Sequence, residues 1–202
     1  ALPEQVEGID IHAPSLEEAR ARLASAGFGA TLTVGNFFDR PSEPSYDAVI
    51  GNPPFVRYQD FSGEARAKGA RTALAQGVRL TGLASSWAAF TIHAAAFLKD
   101  DGRLGLVLPA ELLSVNYAAP VRRFLMRRFS RVRLILFEQL LFPGVLTEVV
   151  LLLAEGRGST DSFEVHQVQD AAALAGLDAA LPRRGFVPVA DEKWTSALLP
   201  SG

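Results

Sequence analysis

The sequence contains no cysteine and no apolar run of the roughly 18 to 20 residues that a membrane-spanning helix needs. Without cysteine, disulfide bonds and thiolate zinc sites are excluded. The three histidines, His12, His93 and His166, lie far apart, so no metal site is predicted. The N-terminus lacks a basic segment followed by an apolar one, so the sequence indicates no secretion signal and we expect a cytoplasmic protein.

The chain is rich in apolar side chains, which make up 49% of its 202 residues. This length suffices for one domain with a full hydrophobic core, and the composition suits a sheet covered on both faces. The net charge of −2 gives no overall attraction to nucleic acid. Composition therefore predicts a globular domain, and the function has to be inferred from motifs.

Short segments rich in Val, Leu and Ile predict a sheet. Six of them are bounded by Gly, Pro or Asp, and they cover residues 6–11, 30–37, 46–52, 102–109, 132–138 and 147–155. Helical patterns cover residues 15–27, 85–102 and 117–130, the first with Ser15 as N-cap and Glu18 completing a capping box. Their order predicts a doubly wound α/β domain with a mostly parallel sheet, in which the last two strands form an antiparallel hairpin at one edge.

The remaining segments are assigned by their lack of a sustained pattern. Residues 56–84 are interpreted as an inserted loop or short helical lid within a main domain of residues 1–155. Residues 156–202 are interpreted as a linker and C-terminal extension, with an additional strand in FEVHQV, residues 163–168.

The tetrapeptide Asn52-Pro53-Pro54-Phe55 lies at the end of the strand predicted over residues 46–52. A plain turn is one interpretation, because proline restricts the residue before it and ends a strand. The position favours a ligand site, since open α/β sheets bind ligands at the carboxyl ends of their strands. The Asn52 side-chain oxygen and the Pro53 carbonyl are two acceptors that match the two hydrogens of an amino group, and Phe55 offers a flat surface for a planar base.

This motif resembles that of the gamma-class adenine-specific DNA methyltransferases of restriction-modification and phage-defence systems, typified by the Thermus aquaticus enzyme. GRLGLVLPAELL (102–113) and LFPGVLTEVVLLL (141–153) add to the resemblance, which extends from about residue 6 to 155. It implies a Rossmann-like class I methyltransferase sheet. It also implies transfer of a methyl group from S-adenosylmethionine to the N6 amino group of an adenine flipped out of double-stranded DNA, with residues 52–55 as the catalytic motif.

The resemblance implies a cofactor site after the first two strands. In GIDI, Asp10 would accept hydrogen bonds from the ribose hydroxyls of S-adenosylmethionine, and Ile11 would contact its adenine. In GNFF, Asn36 stands where the family usually has Asp, so its amide oxygen would accept from the adenine amino group, and Phe37 would pack on the ring. The alternatives are a surface or helix-capping carboxylate for Asp10 and a core aromatic for Phe37.

The resemblance implies DNA contacts as well. Phe142 aligns with the aromatic residue that stacks on the flipped base, and its alternative is a loop hydrophobe that anchors a hairpin. Arg57 and Tyr58 would contact phosphates or close over the site. The basic residues Arg66, Lys68, Arg71 and Arg79 of the insertion could do the same. For all six residues, Arg57 and Tyr58 included, the alternative is a solvated surface.

One part of the family pattern is not found in this sequence. In the family, a strand with a Gly-containing loop precedes the Asp10 strand and receives the methionine part of the cofactor. This chain starts at ALPEQVEGIDI, and no Gly-x-Gly pattern follows a suitable strand. We therefore expect a piece of a larger enzyme, or a chain whose partner polypeptide supplies that strand and a target-recognition domain, with little or no binding of S-adenosylmethionine by these residues alone.

Two other functions fit the same residues. A protein-glutamine or RNA N-methyltransferase would also use residues 52–55, since the motif suits any planar amide or amino group. A truncated, non-catalytic methyltransferase-like module is the second alternative. The insertion after Phe55 and the loop at Phe142 favour DNA as the substrate.

Overall fold

The computed structural model describes residues 5–139, 148–176, 184–188 and 193–195. Contacts within the chain divide it into two units, residues 1–41 and residues 42–202, and each is described by itself. Among the described residues, no helix combines the length and apolar character that crossing a membrane would require.

The first unit is built around two parallel strands joined by a helix. Strand β1 (Val6–Asp10) pairs with β2 (Ala30–Val34), and helix α1 (Ala13–Ser25) connects them. The Gly35 amide donates to the Asp10 carbonyl at 2.9 Å, so the carboxyl ends of the two strands lie side by side. This βαβ arrangement is the one that the sequence pattern predicts for residues 6–37.

Helix α1 begins earlier than the capping box predicts. It starts at Ala13 with His12 as N-cap, whereas Ser15 lies in the first turn with its hydroxyl 2.8 Å from His12 Nδ1. Pro14 explains the shift, because the first turn needs no N–H from that residue and the φ of proline is already helical. The predicted helix is confirmed, and the prediction of Ser15 as its N-cap is wrong.

The second unit contains a six-stranded sheet in the order β3-β4-β6-β5-β7-β8. Its strands are β3 (Tyr46–Gly51), β4 (Leu98–Pro109), β5 (Phe129–Phe137), β6 (Val149–Arg157), β7 (Phe163–Val168) and β8 (Arg184–Phe186). The pairs β3–β4 and β5–β7 are parallel, whereas β4–β6, β5–β6 and β7–β8 are antiparallel. The protein is therefore α/β, as predicted, but the sheet in this unit is mixed, so the predicted mostly parallel arrangement is not confirmed. FEVHQV is the additional strand that its pattern predicts.

The antiparallel pairing predicted for residues 132–138 and 147–155 is confirmed, but its predicted place at the edge of the sheet is wrong. β6 lies between β4 and β5, and β5 pairs on its other side with β7. Leu134 of β5 and Leu152 of β6 are fully buried, as interior strands require. The placement failed because the pairing of β7 with β5 is a long-range contact that the short pattern FEVHQV does not encode.

Among its described residues, the second unit has four α-helices: α2 (Gly63–Ala75), α3 (Ser86–Ala95), α4 (Glu111–Ser114) and α5 (Ala119–Arg128). Helix α3 contacts β4, α5 contacts β5, and the two helices contact each other. Fully buried Trp87, Ile92 and Leu125 fill the space between helices and sheet. Helix α2 gives a regular structure to the centre of the segment that the sequence predicts as an inserted loop or short helical lid.

Helix α3 is shorter than the helix predicted over residues 85–102. It ends at Ala95, and β4 begins at Leu98, which is fully buried. The Phe97 carbonyl accepts hydrogen bonds from the amides of Ser45 and Tyr46, both at 3.0 Å, and these bonds attach the start of β4 to the start of β3. Long-range pairing therefore overrides the local helical pattern of the residues before Gly102.

Candidate active site

The Asn-Pro-Pro-Phe tetrapeptide lies at the carboxyl edge of the sheet in the second unit. Strands β3 and β4 are parallel, with Gly51 opposite Leu106, so both chains leave the sheet at this edge. Asn52 directly follows β3, and the segment that includes α4 directly follows Pro109 of β4. Open α/β sheets bind their ligands at such edges.

The four residues of the motif differ in burial. Asn52 and Pro54 are exposed, Phe55 is half-buried and Pro53 is buried. Because proline has a fixed φ and no N–H, the backbone of residues 53 and 54 has little freedom and donates no hydrogen bond. The Asn52 side chain is thus an accessible amide next to a stiff stretch of backbone.

Ser86, in the first turn of α3, makes three hydrogen bonds to residues 54–56. Its hydroxyl donates to the Pro54 carbonyl and accepts from the Val56 amide at 2.9 Å. Its own amide donates to the Val56 carbonyl at 3.0 Å. The Ser86 side chain is 1% exposed, so these bonds form away from water, where an unmade bond is costly. The backbone after the two prolines is consequently attached to the helix.

Tyr117 forms a second set of hydrogen bonds, between the starts of α3 and α4. Its phenol has a single proton, which it donates to the Glu111 carboxylate. The Tyr117 oxygen lies 3.0 Å from the Ser85 hydroxyl, which therefore acts as donor, and it accepts from Trp87 Nε1 at 3.2 Å. Burial, followed by the hydrogen bond to Glu111, raises the pKa of Tyr117 to about 12. The phenol therefore stays protonated at physiological pH.

A buried arginine holds the end of α4. Arg122 of α5 is 3% exposed, and its Nη1 donates to the carbonyls of Leu112 at 2.8 Å and Val115 at 3.1 Å. Carbonyls at a helix end have no partner within the helix, so a cationic donor is well placed there. Arg122 thus holds two carbonyls of the segment after β4, and Tyr117 holds Glu111 at the start of α4.

The first unit brings the predicted cofactor residues together. Asp10 ends β1, is exposed, and accepts a hydrogen bond at Oδ1 from the His12 amide at 2.8 Å. Ile11 follows with 77% of its surface exposed, which is unusual for a large apolar residue. Asp10 lies beside Gly35, so residues 36 and 37 follow at the same edge.

Asn36 has a local structural role in addition to its predicted one. It is the N-cap of a short 3-10 helix (Phe37–Asp39), and its Oδ1 accepts from the Phe38 amide at 3.0 Å. An amide oxygen has two lone pairs, so a second acceptor direction is left for a ligand. Phe37 is half-buried, and its ring centroid lies 6.3 Å from that of the buried Phe38.

The predicted DNA contacts fall in two parts of the chain. Arg57 and Tyr58, three and four residues after Pro54, are exposed. Phe142 and its Phe-Pro-Gly loop lie outside the described residues. Helix α2 and the turns around it carry the remaining basic residues; Arg71 and Arg79 are exposed, and Arg66 and Lys68 are half-buried.

Sequence reasoning missed Ser86, which bonds to the end of the motif, and the hydrogen-bonded residues of the neighbouring segments, namely Ser85, Glu111, Tyr117 and Arg122. The two serines were interpreted only as the start of a helix. A signal was available, because a helix needs one N-cap residue, and the second serine opens a helix whose residues are mostly apolar and buried. The partners themselves could not be found, since they lie 30 residues or more away in sequence.

Comparison with known proteins gives a family match over much of the chain. Residues 5–142 match the family model described as Eco57I restriction-modification methylase. The chain is also similar to the type II methyltransferase M.AccI of Acinetobacter calcoaceticus, with 25% identity over 184 residues that cover 88% of this chain and 34% of the relative. The chain thus spans about a third of the length of that curated relative.

Solved structures share the fold. The type IIG restriction endonuclease BpuSI matches with a TM-score of 0.71 and 19% identity, covering 98% of this chain and 26% of that chain. A structure described as a class I S-adenosylmethionine-dependent methyltransferase from Listeria monocytogenes matches with a TM-score of 0.65 and 15% identity, covering 85% and 52% of the two chains. At these identities the likeness concerns the fold, and it agrees with the α/β class that the sequence predicts.

Proposed function

We propose a role in DNA modification for this chain, which belongs to the Eco57I restriction-modification methylase family. The proposed reaction transfers a methyl group from S-adenosylmethionine to the N6 amino group of adenine in double-stranded DNA, within a restriction-modification or phage-defence system. The cofactor would leave as S-adenosylhomocysteine, and the methylated nitrogen would release one proton to water. One observation carries the proposal: an exposed Asn52 follows β3 at the carboxyl edge of a sheet, in a chain that belongs to a methylase family.

The chemistry proposed for the motif follows from the groups that it presents. The lone pair of an exocyclic amine is delocalised into the ring, so the amine is a poor nucleophile. In the proposed complex, the Asn52 side-chain oxygen and the Pro53 carbonyl accept hydrogen bonds from the two N–H groups of this amine. These bonds favour a tetrahedral nitrogen with a localised lone pair. Phe55 stacks on the base. Positioning and electrostatics then take the place of a strong general base.

S-adenosylmethionine is the proposed cofactor, and when bound it supplies the activated methyl group. The residues of the first unit fit such a ligand. The exposed Asp10 carboxylate at the carboxyl end of β1 suits a ribose diol, and the exposed Ile11 beside it suits the apolar face of a purine. Asn36 has an acceptor direction left for the adenine amino group, and Phe37 would pack on its ring.

DNA with a flipped adenine is the proposed partner of the second unit. We assign phosphate or base contacts to Arg57 and Tyr58, which are exposed just after the motif, and base stacking to Phe142. Within the described part of the chain, β1 and β3 each pair with one strand only, so each has a side on which a further strand could pair. We propose that another polypeptide segment supplies such a strand and the recognition of the DNA sequence.

Mass spectrometry of nucleosides tests the reaction. DNA incubated with S-adenosylmethionine and the complete protein as it is encoded is digested, and the products are analysed for methylated bases. The expected product is N6-methyladenine. Methylated cytosine with unmodified adenine, or DNA without any methylated base, would contradict the proposal and would favour another planar amino or amide substrate for the same motif.

A further inference from the structure

We infer that Ser86 is a positioning residue that fixes the backbone on both sides of Phe55 and thereby sets the orientation of its ring. The inference rests on the proposed function, in which this ring supports the target base. Ser86 belongs to helix α3, which lies 31 positions after the ring in sequence and outside the tetrapeptide itself.

The geometry of the Ser86 hydroxyl carries the inference. The Pro54 carbonyl, to which it donates, belongs to the peptide group before Phe55. The Val56 amide, from which it accepts at 2.9 Å, belongs to the peptide group after Phe55. One oxygen therefore holds both peptide planes that flank the ring, and together these planes define φ and ψ of Phe55.

The composition of the loop explains why one hydroxyl has such influence. Two successive prolines supply no N–H, and the Val56 amide, two residues after them, is held by a hydrogen bond to Ser86 of α3. The proline rings fix φ at residues 53 and 54, and ψ of Pro54 is left to the bond between its carbonyl and Ser86. A third bond, from the Ser86 amide to the Val56 carbonyl at 3.0 Å, fixes the next peptide group.

Alanine at this position would keep the helix and lose two of the three bonds. Ser86→Ala retains the backbone bond to the Val56 carbonyl and leaves both the Pro54 carbonyl and the Val56 amide without the hydroxyl. Because the site is 1% exposed, water reaches these groups only if the loop moves. The expected consequence is a change in the direction of the Phe55 ring rather than loss of the fold.

The experiment measures hydrogen exchange and methyl transfer on the same preparations of the complete protein. Exchange of the Val56 amide in Ser86→Ala should accelerate about tenfold or more. The kcat for methyl transfer to DNA should fall by about 10- to 100-fold, because a displacement of about 1 Å at a reacting centre has an effect of that size. The KM for S-adenosylmethionine should change less than twofold, and Ser86→Thr, which keeps the hydroxyl, should recover most of the rate.

Thr91→Ala is the matched control. Thr91 is also a fully buried hydroxyl residue of α3, but its Oγ1 donates at 2.8 Å to the Trp87 carbonyl within the helix. It should leave kcat per folded molecule and the exchange of the Val56 amide at the wild-type values. A Ser86→Ala variant that matches Thr91→Ala in kcat and in Val56 exchange would overturn the inference.

The two readouts separate this inference from the proposed function. If the wild-type protein methylates no adenine in DNA, the proposed reaction fails. Exchange of the Val56 amide in Ser86→Ala then still tests the role of Ser86: accelerated exchange supports it, and unchanged exchange contradicts it. If the wild-type protein is active and the Ser86→Ala variant is equally active, the role of Ser86 fails while the proposed reaction stands.

Discussion

At the scale of single residues, hydroxyl groups at the start of α3 determine how the candidate active site is held. Ser86 bonds to the loop after the two prolines, and Ser85 bonds to Tyr117. Neither hydroxyl caps its own helix, although serine is a preferred N-cap residue. Their hydrogen-bonding capacity is used between elements, which is why local sequence rules did not assign it.

Tyr117 gives a prediction about alkaline pH. Its pKa is raised to about 12 in the folded protein, against about 10 for an ordinary tyrosine. Between these values the unfolded chain releases a proton that the folded protein retains, so stability from this group is present below pH 10 and is lost as pH rises toward 12. Between pH 8 and pH 11, the free energy of unfolding measured with denaturant should therefore fall less for Tyr117→Phe than for the wild type.

The control for this prediction is Tyr58→Phe, which removes the hydroxyl of an exposed tyrosine. At pH 8, Tyr117→Phe should be less stable than the wild type by about 1 kcal/mol, since the Glu111 carboxylate and the Trp87 indole lose their partner. If the free energy of unfolding falls equally in the wild type and in Tyr117→Phe between pH 8 and pH 11, the pKa of Tyr117 is not raised in the folded protein.

At the scale of elements, the two central antiparallel strands β5 and β6 approach closely at Gly156. This glycine has φ +68°, and a Cβ at its position would lie 2.5 Å from Ser130 Oγ. The Ser130 hydroxyl donates to the Glu155 carbonyl at 3.0 Å, so it cannot move aside without losing that bond. Both the backbone conformation and the contact therefore require glycine.

Gly156→Ala should lower the free energy of unfolding by about 2 to 3 kcal/mol, through left-handed backbone strain and crowding against Ser130. Gly77→Ala is the matched control, because Gly77 has φ +75° with open space around its missing Cβ. That change should cost only about 1 kcal/mol. Urea denaturation measures both values, and equal losses would show that the contact with Ser130 contributes nothing.

The sequence predicted elements with strong local patterns and failed where long-range contacts decide. The βαβ arrangement of the first unit, the strand that precedes Asn52 and the antiparallel pairing of β5 with β6 all follow from apolar periodicity and turn residues. The end of α3 was predicted too late because the bonds from Ser45 and Tyr46 to Phe97 join distant segments. The Asn-Pro-Pro-Phe motif was visible in the sequence, whereas its support by Ser86 depends on a contact 30 residues away.

At the scale of the whole molecule, two sets of residues lie in two units. The first unit holds Asp10, Ile11, Asn36 and Phe37, and the second holds the motif at residues 52–55 with its support from α3. In the proposed reaction, the first set would bind the cofactor and the second would bind the target base. The chain spans about a third of the length of M.AccI.

The most direct test of the central claim is single-turnover transfer of a labelled methyl group from S-adenosylmethionine to DNA by the complete protein and by Asn52→Ala. Loss of an acceptor for the amino group should reduce the rate by about 100- to 1000-fold. Asn116→Ala, which removes another exposed asparagine amide of the second unit, should react at the wild-type rate. An Asn52→Ala variant that methylates adenine as fast as the wild type would contradict the account.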